Sequence, residues 1–374
     1  MRKESLPKHP IESHERDFLL PNAPKNTLTP SKEQVLQWHK ELSLEDLCTR
    51  ADAVCQKFYG DTLWIRGLLE ISNRCACNCL YCGIRRDNPE VSRYSITRKE
   101  ILRVVQDAWD AGFRTFVIQS GEYGEKTREL LSLAEAMKEI LGSEGALTLS
   151  CGILSLREYE DLKKAGGDRY LLRFETSSPE LHAWLRNGVT LEERLRALHH
   201  LREAGFELGS GYMVGLPGET PEIRLQNALL CKDLELDMVG IGPFLPHPQT
   251  PLGEAPPGDP SLVREAVALV RLLLPQSNIP ATTASATLGR NLQGELFRGG
   301  ANVLMLNITP SRYRHCYTLY PGKATLPEDI PLFTRAREFI SPPGKRADFS
   351  RGDALSHASG GSGGETPRKE TLSP

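Results

Sequence analysis

Residues 62–83, TLWIRGLLEISNRCACNCLYCG, decide the fold that this 374-residue sequence predicts. The first half of the stretch is an almost continuous apolar run, which is typical of a strand buried on both faces of a sheet. The second half contains Cys75, Cys79 and Cys82 in the spacing C-x3-C-x2-C. Three thiolates on one short loop can hold three irons of a 4Fe–4S cube and leave the fourth iron without a protein ligand. An open metal position is typical of a catalytic site, because a structural site closes its coordination shell.

Two other uses of these cysteines stay open as alternatives. Cys77 lies in the same loop, so four cysteines within eight residues can also close a structural zinc site. Zinc sites more often pair two separated C-x2-C units, and the sequence has no second unit. A disulfide framework fits poorly, because nine cysteines are an odd number and the polar N-terminus does not resemble a secretory signal. The ligand spacing skips Cys77, so we predict that Cys77 is not a ligand.

The cysteine loop, placed directly after a first strand, resembles the radical S-adenosylmethionine (SAM) superfamily. The resemblance implies one 4Fe–4S cluster and SAM as cofactors, with the amino and carboxylate groups of SAM chelating the open iron. It also implies an enzyme that reductively cleaves SAM to methionine and a 5′-deoxyadenosyl radical.

The composition excludes several classes of protein. A hydrophobic content of 39% and a charged content of 25% are ordinary for a globular enzyme. The net charge of −2 gives no reason to expect nucleic acid or an anionic membrane as a partner. No apolar run approaches the roughly 20 residues that span a bilayer. Free cysteines and an oxygen-sensitive cluster predict a reducing, anaerobic cytoplasm.

Three regions follow one another along the chain. Residues 1–58 are predicted to form an N-terminal arm and two helices, which Ser31 and Ser43 can cap. Residues 59–341 alternate short apolar strands with helical patterns, whereas residues 342–374 are polar and predicted to be a mostly disordered tail. The predicted strands are 62–71, 114–119, 146–151, 169–175, 207–213, 237–243, 280–285 and 302–306.

Eight strands with intervening helices predict an α/β fold, a (β/α)8 TIM barrel of the radical SAM type. The alternative is an open partial barrel of six strands. The apolar runs at 280–285 and 302–306 favour closure, and a last helix is predicted over 328–341. Active groups of a barrel cluster at the carboxyl ends of its strands, so the candidate site residues are those that follow each apolar run.

Polar residues follow the second and fourth strands in particular. The second strand leads into Ser120-Gly121-Glu122, where small residues let backbone approach a ligand closely. The fourth strand ends in Arg173 and Glu175, a charged pair that is costly at the end of an apolar strand unless it is paired or bound to a ligand. An internal Arg–Glu ion pair is the alternative interpretation of these two residues.

Further candidates carry weaker signals. Thr282 and Thr283 end the seventh strand and offer hydroxyl donors to the mouth of the barrel. Arg194 suits bidentate binding of a carboxylate, although the helical pattern alone favours a solvated residue there, as it does for Arg186. His247 lies in a Pro-rich loop, where a structural role is the more common one.

The long runs of the sequence together resemble one family within the superfamily. The family is HydE, the radical SAM maturases of FeFe-hydrogenase, and the resemblance extends from about residue 35 to about residue 355. Long matches in strands six to eight separate it from biotin synthase and methylornithine synthase. The runs that carry it are LLEISNRCACNCLYCGIRRDN, VIQSGE, DRYLLRFET, YMVGLPGET, DMVGIGPFLPHPQTPL, NIPATTAS and TPSRYRHCYTLYPGK.

The resemblance implies roles for particular residues. The cluster ligands would be Cys75, Cys79 and Cys82. The residues around SAM would be Tyr81, Ser120, Glu122, Glu175, Arg194 and Met238. The internal substrate cavity would be lined by Gln119, Thr148, Arg173, Thr282, Thr283, Met305, Tyr317 and Tyr320. Of these, the residues that take part in the reaction would be Arg173, Thr282, Thr283 and Tyr317.

The resemblance also implies a substrate and partners. The substrate would be a cysteine-bound Fe(CO)2CN complex that another hydrogenase maturation protein supplies, and an electron donor would reduce the cluster. The adenosyl radical would attack the cysteine sulfur and yield a precursor of the di-iron subcluster. Two departures stand out: Phe174 occupies a position where the family often has His, and Thr325 lies where some members begin a second cluster. No cysteine follows Cys316, so a second cluster is not expected.

Two further functions are kept as alternatives. One is a methylornithine synthase-like or biotin synthase-like enzyme acting on a small amino acid-type substrate. The missing second cluster weakens biotin synthase, whose chemistry needs an auxiliary cluster as a sulfur donor. The other is an Fe–S carrier or scaffold without radical chemistry.

Overall fold

The computed structural model describes residues 30–289, 291–322 and 344–360. The predicted arm, the predicted helix over 328–341 and the end of the predicted tail lie outside these ranges. Within the described residues, no helix has both the length and the apolar character needed to cross a membrane.

Two helices precede the sheet, as the sequence predicts. They are α1, Lys32–Glu41, and α2, Leu44–Tyr59. The side chains of Ser31 and Ser43 each accept a hydrogen bond from the backbone N–H three residues further on, at 3.2 Å. These bonds satisfy N–H groups that the first turn of a helix leaves without partners, so both predicted caps are confirmed.

The centre of the molecule is a curled sheet of parallel strands. Its hydrogen-bonded order is β6-β5-β4-β3-β2-β1-β7, and the short β8 pairs with the start of β1. Nearly every residue of β1, β2, β5 and β6 is buried, because helices cover the outside and the inside faces a cavity. The predicted α/β barrel class is confirmed. The strands are β1 Thr62–Ser72, β2 Thr115–Ser120, β3 Ala146–Ser150, β4 Arg169–Leu171, β5 Glu207–Val214, β6 Met238–Pro243, β7 Val303–Asn307 and β8 Arg346–Asp348.

Helices follow the strands and pack on the outer face of the sheet. Their apolar residues join those of the strands in one large hydrophobic core. The helices are α3 Arg98–Asp110, α4 Thr127–Leu141, α5 Leu156–Lys164, α6 Pro179–Arg186, α7 Leu191–Glu203, α8 Pro221–Asp233, α9 Pro260–Leu273, α10 Thr283–Leu288, α11 Leu292–Phe297, α12 Ser311–Arg314 and α13 Leu355–Gly360.

The strand predicted at 280–285 is not formed. Thr282 caps α10 instead, with its side chain accepting from the N–H of Ser285 at 3.4 Å. The residues just before it, 278–281, still make single bridges to β6 and to β7, and the Ala281 N–H donates to the Val303 carbonyl at 3.0 Å. A helix cap therefore replaces the predicted strand, while 278–281 joins the two outer strands of the sheet.

Part of the predicted tail is structured and covers the amino-terminal ends of the strands. The Arg351 carbonyl accepts from Thr115 Oγ1 at 2.7 Å and from Arg169 at 2.8 Å. Asp353 pairs with the same Arg169 at 2.5 Å, and the Ala354 N–H donates to Glu207 at 3.2 Å. The polar sequence of this segment suggested disorder, but its charges meet buried charges of the barrel. Disorder stays a prediction for 361–374.

Candidate functional site

A cavity of about 290 Å³ lies inside the barrel and contains all of the predicted site residues. It extends from the cysteine loop, at the carboxyl ends of the strands, down the interior of the sheet. The predicted residues that line it are Cys75, Cys79, Tyr81, Cys82, Gln119, Ser120, Glu122, Thr148, Arg173, Glu175, Arg194, Met238, Thr282, Thr283, Met305, Tyr317 and Tyr320.

The cysteine loop is held by hydrogen bonds along its length. Arg93 donates to the carbonyls of Asn73 and Ile84, at 2.7 and 2.8 Å, and Asn88 donates to the Gly83 carbonyl at 2.6 Å. The Gly83 N–H donates to the Leu319 carbonyl at 3.0 Å, which ties the loop to the segment after β7. The loop is thus fixed by its surroundings rather than by its own regular structure.

The sulfurs of this loop fit an iron–sulfur cluster. Cys75, Cys79 and Cys82 all line the cavity, and none of the nine cysteines forms a disulfide. Among the described residues, no three His, Cys, Asp or Glu side chains form a group that would hold a single metal ion. Three free thiols on one side of a cavity are the donor set that a 4Fe–4S cluster takes.

The glycine of the Ser-Gly-Glu turn serves the cysteine loop. A Cβ at Gly121 would lie 2.2 Å from the Arg74 carbonyl oxygen and 2.7 Å from Cys75 Cβ. One residue along, the Glu122 carbonyl accepts from the Ala76 N–H at 2.9 Å. The sequence predicted close approach of this backbone to a ligand, and the structure shows close approach to the loop that carries the ligands.

The Glu122 carboxylate is enclosed by two arginines. Arg194 donates to both of its oxygens, at 2.9 and 2.6 Å, and Arg186 donates to one of them at 2.6 Å. Burial by itself raises the pKa of the Glu122 carboxyl, but the two guanidinium groups outweigh it and hold the pKa at about 2. Both arginines are buried, so the solvated alternative for them is wrong. The three side chains carry one net positive charge, which suits the carboxylate of SAM.

Arg173 and Glu175 face the cavity together. Their nearest nitrogen and oxygen are 3.1 Å apart, so the ion pair considered as an alternative is present. Arg173 Nε and Glu175 Oε2 nevertheless have no hydrogen-bond partner. Between them, Phe174 points the other way and stacks on Tyr212 in the core, with ring centroids 5.8 Å apart. Both charges therefore face inward, where the buried Arg173 Nε without a hydrogen-bond partner suits a polar ligand.

Hydroxyl groups line the wall near the end of β7. Gln119 Nε2 donates to the Tyr317 hydroxyl at 3.1 Å, and the Tyr320 hydroxyl is 2.8 Å from Thr283 Oγ1. Burial raises the pKa of Tyr320 to about 12 and that of Tyr317 well above its usual value. Both phenols are therefore protonated at neutral pH and can donate to an anionic ligand.

Met238 lines the cavity but lies far from the cysteine loop, so its contact with SAM stays a prediction. Met238 is the first residue of β6, and its sulfur accepts from Arg66 Nη1 at 3.1 Å. Arg66 also donates to the Gly352 carbonyl of the carboxyl-terminal segment at 3.3 Å. Because Met238 begins its strand, it lies at the closed floor of the cavity, whereas the cysteine loop lies at the opposite ends of the strands.

Two charged cavity residues were missed by the sequence analysis, Arg66 and Glu70, both within β1. Glu70 is 1% exposed, and its side chain accepts from Asn307 Nδ2 at 3.0 Å. Charged residues inside an apolar strand are the signal that would have found them, because burial of a charge is costly without a partner. Glu70 lies on β1 and Arg173 lies two residues after β4, and two other strands separate β1 from β4.

Comparisons with known proteins identify the family of the chain. A sequence profile of the radical SAM superfamily matches residues 69–230. The [FeFe] hydrogenase maturase subunit HydE of Thermotoga maritima is 48% identical over 279 residues, which cover 75% of this chain and 80% of that protein. A biotin synthase of Thermus thermophilus is 30% identical over 287 residues, covering 75% and 84%.

Two solved structures have folds similar to that of this chain. The FeFe-hydrogenase maturase HydG from Carboxydothermus hydrogenoformans has a TM-score of 0.68 at 23% identity, covering 85% of this chain and 79% of that one. Methylornithine synthase (PylB) has a TM-score of 0.67 at 23% identity, covering 74% and 82%.

Fold and site together define a radical SAM enzyme, which uses a 4Fe–4S cluster and SAM. Within that superfamily, the chain belongs to the HydE family.

Proposed function

We propose that this enzyme matures FeFe-hydrogenase by acting on a cysteine-bound Fe(CO)2CN precursor of the di-iron subcluster. The observation that carries the proposal is the cavity that joins the cysteine loop to two opposite charges, Arg173 and Glu70. Those charges suit a substrate that bears both an anionic group and an amino group, as cysteine does. The 48% identity to the Thermotoga maritima maturase supports the same assignment.

The upper part of the cavity would hold the cofactors. Bound there, the cluster and SAM supply the 5′-deoxyadenosyl radical. Cys75, Cys79 and Cys82 would carry the cluster, and Tyr81 would lie beside the adenine of SAM. The remaining SAM contacts would come from Ser120, Glu122, Glu175 and Arg194.

The lower part of the cavity would hold the substrate. Arg173 would bind its carboxylate, and the protonated hydroxyls of Tyr317 and Tyr320 would donate to its anionic ligands. Thr282 and Thr283 would fix the substrate from the end of α10, although the Thr282 hydroxyl also caps that helix. The wall would be completed by Gln119, Thr148 and Met305.

We further propose that the enzyme works in a reducing cytoplasm with other maturation proteins and an electron donor. The barrel would comprise residues 59–341, preceded by an arm and helices over 1–58. Nothing in the charge of the chain favours a nucleic acid or a membrane as a partner.

The test is electron paramagnetic resonance on anaerobically reconstituted, dithionite-reduced protein, with and without SAM, followed by incubation with a synthetic iron–cysteine complex. We expect one cluster signal that SAM changes, and consumption of the complex together with SAM. A signal indifferent to SAM would refute the radical SAM assignment, and SAM cleavage that leaves the complex intact would refute the substrate.

A second candidate is an amino acid mutase like methylornithine synthase. The observation that favours it is the same pair of opposite charges, because Arg173 and Glu70 also suit a free zwitterionic amino acid. Incubation with lysine and analysis for a rearranged isomer separates this candidate from the first. The Fe–S carrier alternative predicts that reduced protein forms no 5′-deoxyadenosine at all.

A further inference from the structure

Arg186 is a buried cation at the point where α6 meets the cysteine loop. It is the last residue of that helix and is 4% exposed. The helix ends there because Asn187 turns the chain with a φ of +32°, in the left-handed region that asparagine enters more often than most residues. The Leu185 carbonyl accepts from the Leu80 N–H of the loop at 2.9 Å. The end of α6 is therefore fixed against the loop.

The guanidinium of Arg186 contacts two side chains that face the cavity. Its Nη2 donates to Glu122 Oε1 at 2.6 Å, and its Nη1 donates to the Tyr81 hydroxyl at 3.3 Å. Tyr81 lies between the predicted cluster ligands Cys79 and Cys82, and Arg186 lines the same cavity as these residues. Arg186 therefore joins the cysteine loop to the carboxylate that follows β2.

Arg186 supplies the charge that is left over in this group. Arg194 donates to both oxygens of the Glu122 carboxylate, at 2.9 and 2.6 Å, so these two charges balance each other. Arg186 shares only one of those oxygens, and its Nε has no hydrogen-bond partner. Within the described residues, Glu122 is the one carboxylate that pairs with Arg186. One positive charge thus stays uncompensated beside the cysteine loop.

The charge of Arg186 acts on its neighbours because solvent does not reach it. His182 lies one turn earlier in α6 and is fully buried. Burial, and then the charges of Arg186 and Arg194, lower the pKa of His182 to about 4. Arg74 and Arg86 of the cysteine loop are exposed instead, and water and salt weaken the effect of exposed charges. Arg186 should therefore act on a group at the loop more strongly than these two arginines.

We propose that the buried charge of Arg186 raises the reduction potential of the 4Fe–4S cluster. A cluster gains one negative charge when it is reduced, and a fixed positive charge in a poorly solvated site stabilises that reduced form. Net charge and solvent exposure are among the factors that set the potential of such clusters. The inference rests on a cluster at the cysteine loop and not on the identity of the substrate.

Two substitutions change the local charge in opposite directions. Arg186→Met removes one positive charge and should lower the potential of the cluster. Glu122→Gln removes one negative charge, keeps an acceptor oxygen for the arginines, and should raise the potential. Arg186→Lys keeps the charge but loses the planar fork, so its potential should stay close to that of wild type. A disturbance of the loop alone gives no reason for shifts whose sign follows the charge.

The test is a dye-mediated redox titration of the reconstituted protein, with the reduced cluster followed by electron paramagnetic resonance. SAM is left out, because its own charges would add to those of the site. At the wild-type midpoint, the ratio of reduced to oxidised cluster should fall about tenfold in Arg186→Met, a shift of about 59 mV for a one-electron couple. Arg196→Met is the control and should match wild type, because Arg196 also pairs with a carboxylate, Glu192 at 2.7 Å, but is 59% exposed.

An unchanged potential in Arg186→Met overturns the proposal. An equal shift in Arg186→Lys also overturns it, because the charge is then not the cause. If Arg186→Met holds too little iron for a titration, Glu122→Gln decides alone, and a potential that does not rise in that variant overturns the proposal. Failure to convert the iron–cysteine complex would refute the proposed substrate and leave these potentials intact.

Discussion

Cys77 gives the sharpest test of which cysteines bind the cluster, because its place in the loop allows it to be a ligand and the ligand spacing does not. It lies in the loop between Cys75 and Cys79 and is buried like Cys79, yet the ligand spacing skips it. We predict that Cys79→Ala loses the cluster and all SAM cleavage, because one of three iron ligands is removed. Cys77→Ala should keep both. Iron content and the reduced-cluster signal measure the retention of the cluster in both variants. A cluster retained in Cys79→Ala would refute the ligand assignment.

A second prediction at this scale concerns Arg173. Its guanidinium faces the cavity beside Glu175, and its Nε has no hydrogen-bond partner. Arg173→Ala should keep the cluster and the uncoupled cleavage of SAM, since no ligand to either is removed. Turnover of an anionic substrate should fall about 10- to 100-fold, the usual effect of losing a charge-assisted bond.

The matched variant for Arg173 is Arg173→Lys, which keeps the charge but loses the bidentate fork. It should lie between wild type and Arg173→Ala in the apparent KM for the iron–cysteine complex. Equal turnover by wild type and Arg173→Ala would remove this residue from the substrate site.

The charged residues of the site were predictable where they follow a strand, and the two that lie within β1 were missed. Cys75, Arg173 and Glu175 follow apolar runs, so the rule that sites gather at carboxyl ends finds them. These two residues, Arg66 and Glu70, face the cavity. Whether such a side chain faces the cavity, and at what depth, depends on the register of each strand, which a sequence pattern does not give.

The turn after β2 shows how one element positions another. Gly121 touches the backbone of Arg74 and the Cβ of Cys75, so the turn acts as a wall behind the cysteine loop. We predict that Gly121→Ala pushes the loop out of place, because its Cβ would lie 2.2 Å from the Arg74 oxygen. The reconstituted protein should hold markedly less iron, while circular dichroism shows an intact fold.

Gly294→Ala is the control for this substitution. Gly294 lies in α11, and its added Cβ would meet nothing nearer than 3.8 Å. Alanine is favoured over glycine inside a helix by about 1 kcal/mol, so this variant should keep its iron and gain slightly in stability. Normal iron content in Gly121→Ala would show that the turn can move to accept the Cβ and that this close contact is not needed to position the cysteine loop.

At the same scale, the prediction of the seventh strand failed for a local reason. The apolar start of 280–285 resembles a strand, but a run of Thr, Ala and Ser follows, and Thr282 caps a helix there. Hydroxyl side chains that bond to nearby N–H groups compete with extended structure. The closing contacts survive because 278–281 needs only single bridges to each neighbour.

For the whole molecule, the carboxyl-terminal segment was the least predictable part. Its partners lie far away in sequence, since Arg351 contacts the start of β2 and Asp353 contacts the start of β4. Local composition indicates only that the segment is polar. The spacing of apolar residues in helices and strands predicted the barrel well, because each such pattern depends on one element and its buried face. The segment 351–357, called the strap below, is polar and is held by long-range ion pairs, so it leaves no such period in the sequence.

The centre of this strap is Arg169, which is fully buried and lies 2.8 Å from the equally buried Glu207. We predict that Arg169→Met destabilises the protein by about 3–5 kcal/mol, because the Glu207 carboxylate loses its buried partner. The segment 351–357 should also loosen, since Arg169 holds both the Arg351 carbonyl and the Asp353 carboxylate. Urea unfolding measures the first effect, and limited proteolysis near Arg351 measures the second.

The double variant Arg169→Met/Glu207→Met separates charge from packing. Removing both charges leaves no unpaired ion, so much of the lost stability should return. The strap should stay looser than in wild type, however, because Asp353 and the Arg351 carbonyl still lack their contacts with Arg169. Protection from proteolysis restored together with stability would mean that other contacts, such as the pair of Arg351 with Asp168 at 2.6 Å, and not Arg169, hold the strap across the floor of the barrel.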